Sequence, residues 1–228
     1  MNGLKKRIFT SQNKITLFQD KLLSWFASTG RHHFPWRKEK LSPYQIVIAE
    51  VLLQRTKAET IEKFYNKFLC TFPSWESIAD AEIGFIEEQL RPIGLYRQRA
   101  KRIKDLAVEM VKLRGEFPTD RHLLDEIPFL GQYIANAIEL QVFNKPKPLL
   151  DVNMARVIER YFGERQMADI RYDPYLQNLA YMVTNHPQAK ELNWAILDFA
   201  AAVCKARKPQ CEKCLLSTSC KFKIKVVT

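Results

Sequence analysis

Apolar residues recur along this chain at three- and four-residue intervals. Ile15, Phe18, Leu22, Leu23 and Phe26 make one such stripe, the pattern of a helix that buries one face. Residues 44–54, YQIVIAEVLLQ, are apolar nearly all round, which predicts a helix enclosed within a domain. The same reading predicts helices near 58–71, 75–80, 82–91, 97–113, 119–127, 132–143, 152–162, 173–184 and 189–203. Gly94, Gly115, Gly131 and Gly163 fall between these segments, where helix-ending residues belong. Only seven of the 228 residues are glycine, so few turns with positive φ are available and hairpins are disfavoured. No stretch alternates as a strand does, and there is no βαβ pattern, internal repeat or low-complexity segment. The expected fold class is all-α.

The length suits one large domain or two small ones, and 46% hydrophobic residues suffice for a sizeable core. Charge changes the picture more. A net charge of +11 points to a polyanionic partner, and nucleic acid is the first candidate. The N-terminus, MNGLKKRIFTSQNK, is basic without an apolar core segment, so no secretion signal is expected. No apolar run approaches the roughly 20 residues needed to span a bilayer. A cytoplasmic, nucleoid-associated protein is expected, with its thiols reduced. A disulfide framework is therefore disfavoured.

Four places carry candidate chemistry. Cys204, Cys211, Cys214 and Cys220 follow the spacing C-x6-C-x2-C-x5-C and suit either zinc or an iron–sulfur cluster. Structural zinc usually takes two close pairs, and only Cys211 and Cys214 form one. Cys70, alone in YNKFLCTF, reads as a buried core thiol. Glu50 lies inside the apolar IVIAEVLLQ, where desolvation favours the neutral acid and suits a general acid. A structural Glu bonded to a helix N-terminus or an Arg fits the same position. In EIPFLGQYIAN, residues 126–136, a turn through Pro128–Gly131 joins two helices, and the N–H groups opening the second suit a phosphate. Turns of that kind are often only structural. Asp151 opens a helix after a proline-broken connection and reads as an N-cap that can also face a site. Asn153 and Arg156 fit either the helix surface or a DNA-facing role.

Taken together these residues resemble the helix–hairpin–helix DNA glycosylase superfamily, in the iron–sulfur branch of endonuclease III and the MutY-type adenine glycosylases. The resemblance runs from about Phe34 to Cys220 through FPWR (34–37), AEVLLQRT (49–56), IGLYRQRA (93–100), IPFLGQYIA (127–135), LDVNMARV (150–157) and the cysteine loop. It implies a [4Fe-4S] cluster on the four cysteines that is not the catalyst, with Lys205, Arg207, Lys208 and Lys213 facing DNA phosphates. It implies two helical domains, a central bundle at 30–140 and a cluster domain from 1–29 plus 141–228. The hairpin would lie across a cleft where Glu50 and Asp151 meet. The implied partner is double-stranded DNA with a mismatched or damaged base, bound by a monomer. The base is flipped out; Asp151 stabilises the cation-like sugar and guides water, and Glu50 serves the departing base, a logic shared with glycoside hydrolysis. Arg55, and Leu95 or Tyr96, stand at positions that fill the vacated stack, while Gln54, Gly131, Gln132 and Asn153 would contact DNA. Bifunctional members carry a Schiff-base Lys where this chain has Tyr133, so a monofunctional enzyme without strong strand cleavage is expected.

Two monofunctional branches resemble the chain. One acts on T or U opposite G, the other on A opposite G or 8-oxoguanine. The chain ends after the cysteine loop, without the further domain adenine glycosylases use to read 8-oxoguanine, which favours the first. A small Ala58 in the base pocket and the wording of LLQRTKAET and ARKPQCEKC favour it too, whereas Gln54 resembles the adenine branch. Phe129 replaces the usual first glycine of the hairpin and puts its phosphate grip in question. Trp194 puts an indole at the pocket where other members have Gln or an aliphatic residue. A non-catalytic DNA-binding module on the same scaffold is the remaining alternative.

Overall fold

The computed structural model describes residues 11–227; the N-terminal stretch read above for a secretion signal lies almost wholly outside them. Among the described residues there are twelve α-helices and no strand. They are α1 (Gln12–Thr29), α2 (Pro43–Leu53), α3 (Ala58–Thr71), α4 (Trp75–Asp80), α5 (Ile83–Leu90) and α6 (Tyr96–Lys112). Then follow α7 (Arg121–Glu126), α8 (Gln132–Gln141), α9 (Val152–Phe162), α10 (Pro174–Thr184), α11 (Ala189–Ala202) and α12 (Lys221–Val227). The all-α expectation holds, and the predicted helices lie within a few residues of the observed ones. The exception is α12: KFKIKVV is short and alternates, so its pattern carries no helical period. No described helix is long and apolar enough to cross a membrane.

Contacts sort the chain into two compact units. One is His32–Lys145. Its centre is α2, which starts where Ser42 accepts from Gln45 N–H, Gln45 returns a bond to the Ser42 backbone, and Pro43 fills the first turn. Val47, Ile48, Ala49 and Leu52 are buried on several sides of α2, against α3 and α8. α6 lays Ala100, Ile103, Leu106, Ala107 and Met110 over α4 and α5. Aromatic rings fill the space between: Phe34 stacks on Trp36 at 4.6 Å, and Tyr44 meets the edge of Trp75 at 4.7 Å.

Cys70 corrects the sequence reading. It is exposed. The buried face of α3 runs through Ile61, Phe64, Tyr65 and Phe68, and a residue two places beyond Phe68 points to the opposite side of the helix. Gly131 also differs from expectation, for it opens α8 as its N-cap instead of ending a helix.

The other unit joins the chain up to Arg31 with the chain from Pro146 onward. Here α1 packs along α11 and α10, and α9 packs against α10, α11 and α12. Ile15, Phe18, Leu22 and Phe26 are buried as the stripe predicts, while Leu23 is only half-buried. Phe18 touches the rings of Tyr161 and Phe162 at 5.0 and 5.2 Å. Gly30 ends α1 against its own last turn: a Cβ there would come within 2.5 Å of the Phe26 ring and carbonyl. Arg31 then makes a two-pronged bond to the buried Asp198 carboxylate, with Nε to Oδ1 at 2.8 Å and Nη2 to Oδ1 at 2.6 Å, while its backbone N–H donates to Oδ2.

Candidate active site and cysteine loop

Asp151 is half-buried and caps α9. Its Oδ1 accepts the Asn153 and Met154 backbone N–H groups at 2.9 and 2.8 Å, and its Oδ2 accepts Asn153 Nδ2 at 2.6 Å. Three donors fix both oxygens. The strand of chain leading in is fixed as well. Asn193, fully buried on α11, accepts Leu149 N–H at 2.7 Å and donates to the Lys147 carbonyl at 3.1 Å. Trp194 follows it, half-buried. Nothing in local sequence marked Asn193, because the Leu149 and Lys147 groups it holds lie more than forty residues away.

One face of α9 continues the arrangement. Asn153, Arg156 and Arg160 recur at three- and four-residue intervals, while Met154, Val157, Ile158 and Tyr161 take the buried side. Arg156 Nη1 donates to Asn153 Oδ1 at 3.1 Å, its Nε to the Cys204 carbonyl at 2.9 Å and its Nη2 to the Ala200 carbonyl. A continuous hydrogen-bonded path thus runs from the Asp151 carboxylate to Cys204. Burial lowers the Arg156 pKa, against the opposing pull of Cys204 and Asp151. Arg160 donates to Cys204 Sγ at 3.4 Å and to the Lys205 and Ala206 carbonyls, with its guanidinium 4.6 Å over the Phe222 ring.

The four cysteines are half-buried between α11 and α12: Cys204 directly follows the end of α11, Cys211 opens the short turn Cys211–Lys213 that Cys214 closes, and Cys220 closes the turn Ser217–Ser219. Burial raises the Cys214 thiol pKa, and the nearby Cys220, Cys204 and Cys211 raise it further. Cys204 is likewise raised by burial, with the Arg160 bond and charge opposing. The four sulfurs therefore share one neighbourhood, bordered by two guanidinium groups. Among the described residues no set of three or more His, Cys, Asp or Glu side chains closes on a single point as for one metal ion. An all-sulfur donor set with a bordering positive charge fits a thiolate-bound cluster. Lys205, Arg207, Lys208 and Lys213 are all exposed on this loop.

In the unit His32–Lys145, Glu50 is buried at 4% exposure on α2, and Gln141 Nε2 of α8 donates to its Oε1 at 2.6 Å. The Gln141 amide is thus one partner of the carboxyl. Burial, and after it the Glu50 charge, push the Tyr65 phenol pKa up. Tyr133, one residue inside α8, is half-buried against the same core. The hairpin before it hangs on the buried Ile127 and Leu130. Between them Phe129 holds φ +67° with its side chain exposed. The backbone keeps the left-handed turn a glycine would make, so the substitution shows as strain and an exposed ring. Gly131 offers no capping side chain to the first turn of α8, and Gln132 beside it is exposed.

Two loops carry the remaining residues. Gln54 and Arg55 end α2, with Arg55 exposed at φ +59°. Leu95, half exposed at φ +50°, opens α6, and Tyr96 follows it with the Arg91 and Arg97 guanidiniums 5.5 and 5.8 Å from its ring. Ala58 is half-buried at the start of α3.

Comparison with known proteins gives four results. The family described as "HhH-GPD superfamily base excision DNA repair protein" matches residues 48–173. A thymine/uracil-DNA glycosylase of Pyrobaculum aerophilum is 37% identical over 208 residues, covering 90% of each chain. A solved structure of a thermostable thymine-DNA glycosylase superposes with a TM-score of 0.85 at 33% identity, over 93% of this chain and 98% of that one. An adenine DNA glycosylase of Buchnera aphidicola is 27% identical, and the match spans 90% of this chain but 58% of that protein.

Proposed function

The chain belongs to the HhH-GPD superfamily of base-excision DNA repair proteins, and we propose that it is a monofunctional DNA glycosylase that excises T or U opposite G and leaves an abasic site. The observation that carries this reading is the likeness over nine-tenths of both chains to a protein named for thymine and uracil. Double-stranded DNA is the partner, bound by a monomer in the cytoplasm at the nucleoid.

A base inside a duplex is out of reach, so the nucleotide is flipped out before reaction. Breaking the N-glycosidic bond puts positive charge on the sugar. Asp151, fixed by three N–H donors, presents a carboxylate to that charge without reorganising, and orients the attacking water. Glu50, held by Gln141 in apolar surroundings, protonates or hydrogen-bonds the departing base. Tyr133 offers a phenol where an amine would form an imine, so the strand stays intact after excision. Arg55, with Leu95 or Tyr96, fills the vacated stack, and Gln54 contacts the DNA beside them. Gly131 and Gln132 at the start of α8, with Asn153, Lys205, Arg207, Lys208 and Lys213, serve the phosphates. Ala58 and Trp194 shape the base pocket.

Cys204, Cys211, Cys214 and Cys220 would hold a [4Fe-4S] cluster, which when bound fastens the loop and takes no part in bond breaking. Arg156 and Arg160 would orient that loop from α9. Iron and acid-labile sulfide, each near four per chain, together with visible absorbance, are the expected result for purified protein; stoichiometric zinc would overturn it.

The functional test uses end-labelled duplexes carrying T:G, U:G, A:G, A:8-oxoguanine and T:A pairs, with half of each sample developed in alkali. Alkali-dependent cutting at T:G and U:G is expected. Cutting of the A strand moves the protein to the adenine branch. Strong cutting without alkali refutes the monofunctional assignment.

A further inference from the structure

Arg99 has no role in the chemistry above, yet its side chain is among the most constrained in the molecule. It is buried, at 6% exposure, on the inner side of α6. Its Nη2 donates to the Gln54 carbonyl at 2.5 Å and to Thr56 Oγ1 at 2.6 Å, and its Nη1 to the Ile93 carbonyl at 3.2 Å. The first two acceptors belong to the loop after α2 and the third to the loop before α6. Arg55 sits between Gln54 and Thr56, and Leu95 lies two residues after Ile93. Both hold left-handed backbone conformations that non-glycine residues rarely adopt. A small gap of about 30 Å³ lies between the two loops, lined by Gln54, Arg55, Leu95, Gln98 and Arg99 itself, among others.

All the acceptors of Arg99 are carbonyl or hydroxyl oxygens, and among the described residues no carboxylate pairs with it. Burying a cation without a countercharge is a poor way to gain stability. A methionine or leucine would fill the same space at lower cost. What a planar guanidinium supplies, and an apolar side chain does not, is a fixed fork whose donors reach two loops at once. Residues held in strained conformations persist where their surroundings over-determine them, and such places cluster at functional sites.

We propose that Arg99 is a positioning residue that locks the Gln54–Arg55 loop and the Ile93–Leu95 loop into one rigid wedge, so that both enter the DNA stack together when a nucleotide is flipped. The inference rests on the assignment of these loops to the vacated stack. Arg99 acts before bond breaking and touches neither the base nor the sugar. Its loss should therefore matter most where flipping is costly and least where the target base is already unpaired, since extrusion costs less for an unpaired base.

The test compares wild type, Arg99→Met and Arg99→Lys in single-turnover excision from two duplexes, one with a T:G pair and one with the same T in an unpaired bulge. A 2-aminopurine beside the target reports unstacking independently of excision, and circular dichroism with thermal unfolding monitors the fold. Arg99→Met should slow excision at T:G by about 10²-fold, the scale of an ångström misplacement. It should slow the bulged substrate less than tenfold and delay the 2-aminopurine rise. Arg99→Lys, which keeps the charge but not the fork, should fall between. Equal losses on both substrates, or no loss on either, overturn the proposal. If Arg99→Met does not fold, Arg99→Lys alone decides by the same ratio. A wild type that excises no base removes the functional reading but leaves the 2-aminopurine rise to judge the clamp; a wild type that leaves that signal flat overturns the clamp as well.

Discussion

Asp151 is both a helix cap and the proposed electrostatic partner of the sugar, and one substitution separates the two. Asn caps a helix about as well as Asp, so Asp151→Asn should unfold at nearly the wild-type temperature. Single-turnover excision should drop by about 10²–10³-fold, the usual scale for losing a preorganised electrostatic contact. Glu50→Gln keeps the shape and the Gln141 contact and should cost about 10²-fold or more, as loss of a general acid does. Phe129 makes the opposite kind of prediction. A left-handed conformation costs a non-glycine residue about 1–2 kcal/mol, and glycine returns part of that as chain entropy. Phe129→Gly should raise stability by about 0.5–1 kcal/mol in denaturant titrations, with little apolar burial lost because the ring is already exposed. Asp151, Glu50 and the cysteines stood out in the sequence because their types are unusual for their settings. Asn193, Gln141 and Arg99 did not, because each takes its meaning from a partner more than forty residues away.

At the scale of elements, the helices were legible because their apolar residues repeat, and α2 was legible by the lack of a polar side. Boundaries and turns were less so, since they depend on side-chain caps that local pattern does not announce. The loop before α10 is an example. Asp173 is fully buried; its Oδ2 accepts the Gln166 and Met167 N–H groups and its Oδ1 the Leu176 N–H, each at 2.7 Å. Burial alone would raise the carboxyl pKa, but the three backbone bonds and the Arg165 charge outweigh it, and the net shift is downward. The sign follows: a depressed folded-state pKa gives stability that is present above the ordinary Asp value near 3.9 and is lost as pH falls through the folded-state value. Asp173→Ala should cost about 2–4 kcal/mol at neutral pH, from strong bonds lost and donors left buried. It should also flatten the acid limb of the stability curve, measured by chemical denaturation from pH 7 downward.

For the whole molecule, the net charge of +11 was the earliest sign of a polyanionic partner, and the exposed cations of the cysteine loop are the proposed place for it to act. The family match at 48–173 lies within the stretch 34–220 over which the resemblance was read. A triple Lys205→Ala, Arg207→Ala, Lys208→Ala variant should bind duplex DNA more weakly. Its plot of log affinity against log salt should be shallower by up to about three, since each phosphate contact contributes a slope of about 0.9. An unchanged slope, measured by fluorescence anisotropy over a salt series, would take these residues off the phosphates.

The unit that contains α1 is assembled from two ends of the chain, with His32–Lys145 between them. During synthesis α1 emerges well before its packing partners α10 and α11, with the whole of His32–Lys145 made in between. At 5–20 residues per second the wait is on the order of ten seconds. Throughout it Ile15, Phe18, Leu22 and Phe26 have nothing of their own unit to cover them, while the intervening segment has all its helices in one uninterrupted run. The apolar face of α1 therefore stays uncovered by its own unit until α10 and α11 have been made. A holdase acting on the nascent chain would find a binding site in residues 15–26, and slowing elongation would lengthen that exposure in proportion.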